Sequence, residues 1–282
     1  MKPKDIESSI ILRNNAPLDD FCGLTPNEIH QLLYYPFGDK SILQFQKSIT
    51  NDTLDQIPFF RIAEEFLKLI QREKQIKLTQ NGALPRKVLG ELYEHKFFLE
   101  CLIESGISKL WREEDSVIIM TARLTVEVAG LVKKSKNKLS VTKNGSKLLF
   151  PENRLEFFKT LFNGYTAKFN WAFNDQYTEQ PVGQLGFGFS LYLLDKFGAE
   201  EHLARFYADK YLRAFPHLLS GFPDRHFSPK EELLKNCYSY RTVDNFFNWF
   251  GLITIERSDN FSRKESDKFK RTDLFKQVFV FD

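Results

Sequence analysis

The sequence predicts a mostly α-helical protein with short β-hairpins, built from tandem winged helix-turn-helix-like modules. Apolar residues recur at helical spacing along most of the chain. A hairpin, with an apolar-containing strand on each side of a short polar loop, is indicated at residues 130–142 after several helices. Helices with an appended hairpin are the element order of a winged helix-turn-helix. The same order recurs in the second half of the chain.

The composition is that of a folded protein and excludes wholesale disorder. The 282 residues are 42% hydrophobic and 27% charged, and 29 are Phe, enough large apolar side chains for several cores. At about 100–200 residues per domain, the length predicts roughly two domains. Because 40 Lys and Arg nearly balance 37 Asp and Glu, any attraction to nucleic acid must come from local patches of charge.

Cysteine usage and hydropathy favour a cytoplasmic protein with no membrane segment. Cys22, Cys101 and Cys237 are scattered and form no Cys-x-x-Cys pair, which is typical of free buried thiols in a reducing compartment. Near the N-terminus the apolar run Ile10–Leu12 is too short for a signal peptide. The chain contains no apolar run long enough to span a bilayer.

Residues 1–52 form an acidic N-terminal segment with one short amphipathic helix. Thr25 is the predicted N-cap, Pro26 occupies the first helical position and Glu28 completes a capping box. The apolar side chains that follow, at positions 29, 32 and 33, share one face of the helix. We expect this face to dock on the body of the protein or on a protein partner.

Residues 53–150 are predicted to form the first winged-helix-like module. The pattern indicates a helix around residues 62–70, a strand at 76–79, a helix from Pro85 and a helix at 116–129 that ends at Gly130. The hairpin at 130–142 and a short helix complete this module.

Residues 151–282 are predicted to form a second, Phe-rich helical module of the same kind. Helices are indicated near residues 155–165, 185–194, 202–215 and 239–250, followed by strands at 251–257 and 268–272. Ala129–Val132 and Phe250–Ile253 share an apolar-Gly-Leu-apolar pattern, and each leads through a hairpin to a threonine. The two copies, about 121 residues apart, suggest two related modules rather than a solenoid.

The first hairpin carries the strongest charge feature of the sequence. Six lysines and no acidic residue occur between positions 133 and 147, namely Lys133, Lys134, Lys136, Lys138, Lys143 and Lys147. Lysines on a hairpin can neutralise phosphates and release counterions. They can equally protect an edge strand from aggregation, so both interpretations stay open.

Two further groups are candidate nucleic-acid contacts. Arg241, Asn245 and Asn248 recur at i, i+4 and i+7, opposite an apolar row, so we expect them to be exposed where Arg and Asn could bond base edges. An ordinary solvated helix face is the alternative. Arg86 and Lys87 follow Pro85 at a helix start, a position that favours anions.

No pattern in the sequence indicates catalysis, a metal or a cofactor, so we expect a protein that is not an enzyme. The histidines lack zinc-ligand spacing. His217 and His226 share a loop with Asp224, an arrangement more typical of surface contacts than of a catalytic pair. The glycines at 183, 186 and 188 lack the spacing of a phosphate-binding loop and favour close helix packing.

Several stretches resemble a known family: Leu24–Pro26, Leu32–Phe37, Lys77–Thr79, Gly82–Lys87, Gly183–Phe189 and Cys237–Thr242. Together they resemble, over nearly the whole chain, an uncharacterised bacterial protein family with winged-helix-like segments. The stretch from Lys77 to Pro85 is also similar to segments found beside plasmid-associated and transposon-associated open reading frames. The resemblance implies a mobile-element or regulatory setting and no established activity.

These observations predict a nucleic-acid-binding or regulatory protein without catalytic activity, with double-stranded DNA as the expected ligand. The alternative is a protein–protein interaction module whose winged-helix units do not bind nucleic acid. The near-neutral net charge and the acidic N-terminal segment favour that alternative.

Overall fold

The structure is a computed structural model that describes residues 10–173, 175–178, 180–223, 229–256 and 267–282. Its contacts divide the chain into two compact units. The first unit contains Met1–Ser48, Trp171–Asn248 and Leu252–Asp282, and the second contains Ile49–Asn170 and Trp249–Gly251. The segment boundaries predicted after residues 52 and 150 stay predictions.

The described residues are mostly helical, with small antiparallel sheets, as the sequence predicts. The α-helices are α1 Pro26–Tyr34, α2 Asn51–Asp55, α3 Pro58–Glu73, α4 Arg86–Glu94, α5 Cys101–Glu104, α6 Val117–Val128, α7 Lys143–Leu148, α8 Arg154–Asn163, α9 Phe187–Phe197, α10 Ala204–Ala214, α11 Lys230–Tyr238 and α12 Asp273–Val278. The strands are β1 Leu43–Phe45, β2 Ile76–Lys77, β3 Val132–Ser135, β4 Lys138–Val141, β5 His202–Leu203, β6 Ile253–Glu256, β7 Lys268–Arg271 and β8 Phe279–Phe281. Gly164–Lys168 and Ser239–Phe247 are π-helical and follow α8 and α11.

The core of the second unit is built on α3 and α6. Helix α3 begins at Pro58 and buries an amphipathic face that includes Phe59, Phe60 and Phe66. Helix α6 is followed by Gly130, whose φ of 75° lets the chain turn so that the Leu131 N–H bonds the Val126 carbonyl (2.9 Å). The predicted helix end at Gly130 is confirmed.

A three-stranded antiparallel sheet completes the second unit, in the order β2-β4-β3. The predicted hairpin and the short strand before it are both present, and the hairpin's second strand lies in the centre of the sheet. Thr142 caps α7, since its hydroxyl accepts a hydrogen bond from the Gly145 N–H (3.0 Å). Thr142 therefore connects β4, the last strand of the hairpin, directly to α7.

The N-terminal helix α1 belongs to the first unit and has the predicted capping box. The Glu28 carboxylate accepts from the Thr25 N–H (2.7 Å), and the Thr25 hydroxyl accepts from the Glu28 N–H (3.3 Å). Helix α1 packs on α9, where a Cβ on Gly188 would lie 3.1 Å from the Leu32 carbonyl oxygen. The apolar face of α1 therefore docks on the body of the protein.

The first unit repeats the element order of the second. Helix α9, strand β5, helices α10 and α11, and strands β6 and β7 correspond to α3, β2, α4, α6, β3 and β4, with the sheet order β5-β7-β6, while the short helix α5 has no α-helical counterpart in the first unit's described residues. The Thr142 N–H bonds the Leu131 carbonyl at 2.9 Å, and the Thr272 N–H bonds the Leu252 carbonyl at the same distance. The internal repeat therefore extends to individual backbone hydrogen bonds.

Some elements differ from the prediction. The helix before the second hairpin begins at Lys230, nine residues before its predicted start, and continues into the π-helical segment. The C-terminal strand β8 has no sequence signal, and it pairs with β1 through Leu43 and Phe281. His226 and Asp224, and residues 257–266 of the second hairpin, lie outside the described residues.

None of the helices that the structure describes has the length and apolar character needed to cross a membrane. All three cysteines are free thiols, of which Cys237 is buried and Cys101 is exposed. Within the described ranges, no cluster of His, Cys, Asp and Glu could hold a metal ion.

The packing of α7 generates a prediction on two glycines. A Cβ on Gly145 would lie 2.2 Å from the Leu131 carbonyl oxygen, whereas a Cβ on Gly90, in α4, meets no atom within 4 Å. We expect Gly145→Ala to lower the free energy of unfolding by about 1–3 kcal/mol through overpacking. The control Gly90→Ala should raise it by about 0.5–1 kcal/mol through helix propensity. Urea denaturation measures both, and a change of the same sign in both variants would contradict the packing.

Candidate nucleic-acid interface

The tip of the first hairpin is a rigid two-residue turn. Lys136 and Asn137 both have positive φ (47° and 58°), as a type I′ turn requires. The Asn137 side-chain amide donates to the carbonyl oxygens of Leu78 (3.2 Å) and Thr79 (2.8 Å), next to β2. The tip is therefore tied to β2, and it presents the exposed Lys136 to solvent.

The register of the sheet decides where each lysine lies. Leu139 lies opposite both Ile76 and Lys134, and Lys138 lies opposite both Lys77 and Ser135. Since side chains alternate between the faces of a strand, the face opposite the buried Leu139 carries three exposed lysines. We call Lys77, Lys133 and Lys138 the outer lysine face.

The outer lysine face is not neutralised by any carboxylate of the described residues. Within the part of the chain that the structure describes, no carboxylate forms an ion pair with any of its three lysines. Lys77 and Lys138 are direct cross-strand neighbours, and like charges in that position destabilise a sheet. An anion bound between them would relieve this repulsion.

The turn that connects β2 to α4 lies beside three cations, Lys134, Arg86 and Lys87. Lys134 Nζ is 3.0 Å from the position of a Cβ on Gly82, in that turn. Arg86 and Lys87 are both exposed at the start of α4, after Pro85. The structure thus brings Lys134 to the turn that leads to these two predicted residues. Lys143, at the start of α7, is also exposed.

The helix before the first hairpin, α6, offers no side chains to read bases. Ile118, Ile119, Ala122 and Val126 are buried, and so is its arginine, Arg123. Burial opposes the charge of Arg123, but hydrogen bonds to Glu113 and Glu127 raise the pKa of its guanidinium above the ordinary value. Arg123 is thus a charged but neutralised group inside the unit.

The expectation that Arg241 is exposed is wrong. Its side chain is fully buried, forms an ion pair with the equally buried Asp175, and donates to the carbonyl oxygens of Gln180 (2.6 Å) and Thr178 (2.7 Å). The reason is the π-helical segment Ser239–Phe247, because its i→i+5 hydrogen bonds change which residues share a face. Arg241 therefore binds a segment of the first unit and is not available to a ligand.

Asn245 and Asn248 are half-buried in and just after the same π-helical segment. The spacing that predicted one exposed row with Arg241 assumed a regular α-helix. With Arg241 inside the core, this row is no longer a three-residue surface. A role of the two asparagines in binding stays a prediction.

The corresponding hairpin of the first unit has paired charges. Lys268 lies opposite Glu256 across the strands, Lys270 Nζ is 3.8 Å from a Glu201 carboxylate oxygen, and Arg271 forms an ion pair with Asp195 (3.1 Å). The two units therefore contain similar three-stranded sheets that differ in charge. The sheet of the first unit has acidic residues beside its cations, whereas the outer lysine face of the second unit has none among the described residues.

Sequence reasoning missed two residues of this surface. Lys77 joins the outer lysine face because β2 pairs with β4, a contact between positions about 60 residues apart in the chain. Trp111 lies between α4 and α6, and the Arg86 guanidinium is 3.8 Å from the centre of its ring. No local sequence signal places either residue beside the other cations.

Residues 55–155 match the family model of the Y4jL N-terminal domain, an uncharacterised family. The match is a little over a third of the chain and includes α3, the sheet β2-β4-β3 and α7. No curated protein and no solved structure matches the chain significantly. The matched part is thus similar to a family that brings no activity with it.

The burial of Arg241 generates a prediction on stability. Arg241→Met leaves the Asp175 carboxylate buried without its cation, which should lower the free energy of unfolding by about 3–5 kcal/mol. The control Arg213→Met breaks an ion pair with Asp20 in which both side chains are more than half exposed. That change should cost less than about 1 kcal/mol. Equal small losses in urea denaturation would show that Arg241 is not a structural anchor.

Proposed function

We propose that this chain is a nucleic-acid-binding protein without catalytic activity, which binds phosphates through its basic hairpin. The observation that supports this most directly is the outer lysine face, where Lys77 and Lys138 are direct cross-strand neighbours and, in the described part of the chain, form no ion pair with a carboxylate. Each lysine that neutralises a phosphate releases a counterion, and this supplies affinity without sequence information. Lys136 adds a further positive charge at the tip, and Lys134, on the other face of the sheet, places one beside the turn at Gly82.

Protection of an edge strand accounts for only part of this charge. Lysines on β3 protect an edge, since β3 is the last strand of the sheet β2-β4-β3. Lys138 lies on β4, the central strand, which has no free edge to protect. A phosphate-binding role explains Lys138 and Lys77 together, whereas edge protection accounts for Lys77, on the edge strand β2, but not for Lys138.

Each unit is proposed to contain a winged helix-turn-helix module, in which the hairpin is the wing. The support is the shared order of helix, strand, helices and hairpin, with the first strand paired to the hairpin's second strand; the second unit has one additional short helix, α5. Because α6 is buried on most sides, binding goes through the wing and the start of α4 rather than through a base-reading helix. We therefore expect affinity for duplex DNA that depends little on sequence.

Charge distribution favours the second unit as the binding unit. It contains 20 Lys and Arg against 15 Asp and Glu, a net charge of +5, whereas the whole chain has +3. A cytoplasmic, regulatory or mobile-element setting is part of the proposal and rests on the cysteine usage and the family resemblance.

A protein–protein interaction module is the second candidate. The buried α6 and the buried Arg241 favour it, because they remove the side chains that most often read bases. In that case the hairpin lysines would be an ordinary solvated surface. Replacing them would not change the salt dependence of nucleic-acid binding.

The two candidates differ in one measurement, the salt dependence of binding to random duplex DNA. The double variant Lys77→Ala, Lys138→Ala should weaken binding to all sequences and reduce the slope of log K against log salt by about 1.8, or about 0.9 per lost phosphate contact. The matched control Lys68→Ala, Lys96→Ala removes the same charge from lysines that are paired with Glu64 and Glu104. The control should leave the slope unchanged. An unaltered slope in the first variant, with the fold intact, would favour the interaction module.

A further inference from the structure

Trp111 is the exposed tryptophan of this protein. Its side chain is 53% exposed, whereas Trp171 and Trp249 are buried at 4% and 5% exposure. These three are all the tryptophans in the chain, and all lie within the described residues. A half-exposed indole ring is a large apolar surface that faces solvent.

Backbone hydrogen bonds fix the chain at Trp111, and two cations lie beside its ring. The Trp111 N–H donates to the Asp115 carboxylate (2.9 Å), and the Arg112 N–H donates to the same oxygen (2.7 Å). The Arg86 guanidinium lies 3.8 Å from the ring centre, and Lys109 Nζ lies 5.9 Å from it. Indole and guanidinium together form a flat cationic platform that is ordered before any ligand arrives.

The platform lies near Lys134, the hairpin lysine on the other face of the sheet from the outer lysine face. Lys134 Nζ contacts the turn at Gly82, and Arg86 begins the helix four residues later. The Leu84 N–H donates to the Glu113 carboxylate (2.9 Å), which ties this turn to the chain just beyond Trp111. A path of cations therefore leads from the sheet to the exposed ring.

The charges beside the ring decide what it binds. Among the described residues, Arg86, Lys87 and Lys109 form no ion pair with a carboxylate. The nearest acids in sequence are already occupied, Glu114 by Arg112 and the buried Glu113 by Arg123. A stacked base next to a phosphate chain would use both the exposed part of the indole and these cations.

We propose that Trp111 and Arg86 stack on an unpaired base, so that the ligand of this surface is nucleic acid with a single-stranded part. The inference rests on the proposed function, since the hairpin lysines hold the phosphates on either side of that base. It narrows the ligand class from fully paired duplex to single strands or duplexes with an unpaired end.

Intrinsic fluorescence tests the stacking directly, because the other two tryptophans are buried. A mixed-sequence single-stranded DNA oligonucleotide and a duplex with an unpaired tail should quench the exposed emission, which comes from Trp111. Blunt duplex and inorganic polyphosphate should leave it nearly unchanged, although both bind the lysines. Equal quenching by polyphosphate would overturn the inference, since that probe has no base to stack.

Affinities of variants provide a second, independent measurement. Trp111→Ala should weaken binding to the single-stranded oligonucleotide by about 5- to 150-fold, the usual value of one stacked base, and should leave blunt-duplex affinity nearly unchanged. Trp111→Phe retains an aromatic face and should keep most of the affinity. The control Leu99→Ala alters another half-exposed apolar side chain of the same connection and should have no effect.

The possible failures are distinct. If blunt duplex binds in a lysine-dependent manner while Trp111→Ala and the emission show no effect, the stacking inference is wrong and the proposed function stands. If no nucleic acid binds and the lysine variants change nothing, the proposed function fails. Equal losses for single strand and duplex in Trp111→Ala would mean a general perturbation and would also overturn the stacking.

Discussion

The pairing of Leu139 with Ile76 is the constraint on which the candidate interface depends. Both side chains are buried, and a shift of one residue would turn Lys138, the lysine of β4, into the core. The apolar face therefore fixes the charged face. The Asn137 side chain secures the same register a second time, since it bonds the backbone just beyond β2. Charge placement on this hairpin is thus as well determined as core packing.

That constraint also makes the outer lysine face unfavourable for the isolated protein. Lys77 and Lys138 cannot turn away to the other face, because their neighbours in the strands are needed in the core. Cross-strand repulsion of this kind lowers stability by a few tenths of a kcal/mol to about 1 kcal/mol. A bound phosphate would convert the repulsion into attraction, so stability and binding are linked through the same pair of side chains.

Local signals in the sequence predict the helices and strands. Contacts between residues far apart in the chain determine which side chains of these elements are buried or brought together. The capping box at Thr25, the helix end at Gly130 and the hairpin with its lysines are readable because each depends on neighbours within a few residues. The burial of Arg241 could not be predicted from the sequence, since its partner Asp175 is 66 residues away and its helix changes to π-type hydrogen bonding. Of the candidate interface, the hairpin lysines and the start of α4 are exposed as predicted. Lys77 and Trp111 required the tertiary structure.

The internal repeat separates what the fold requires from what it merely permits. The first unit builds the same three-stranded sheet with Glu256 opposite Lys268 and with Arg271 paired to Asp195. The architecture therefore folds without bare lysines, and their presence in the second unit is not a consequence of the hairpin geometry. Edge protection accounts for Lys77 on the edge strand β2 but not for Lys138, which occupies the central strand. The second unit has two opposed lysines that form no ion pair among the described residues. An anionic partner of this unit explains them.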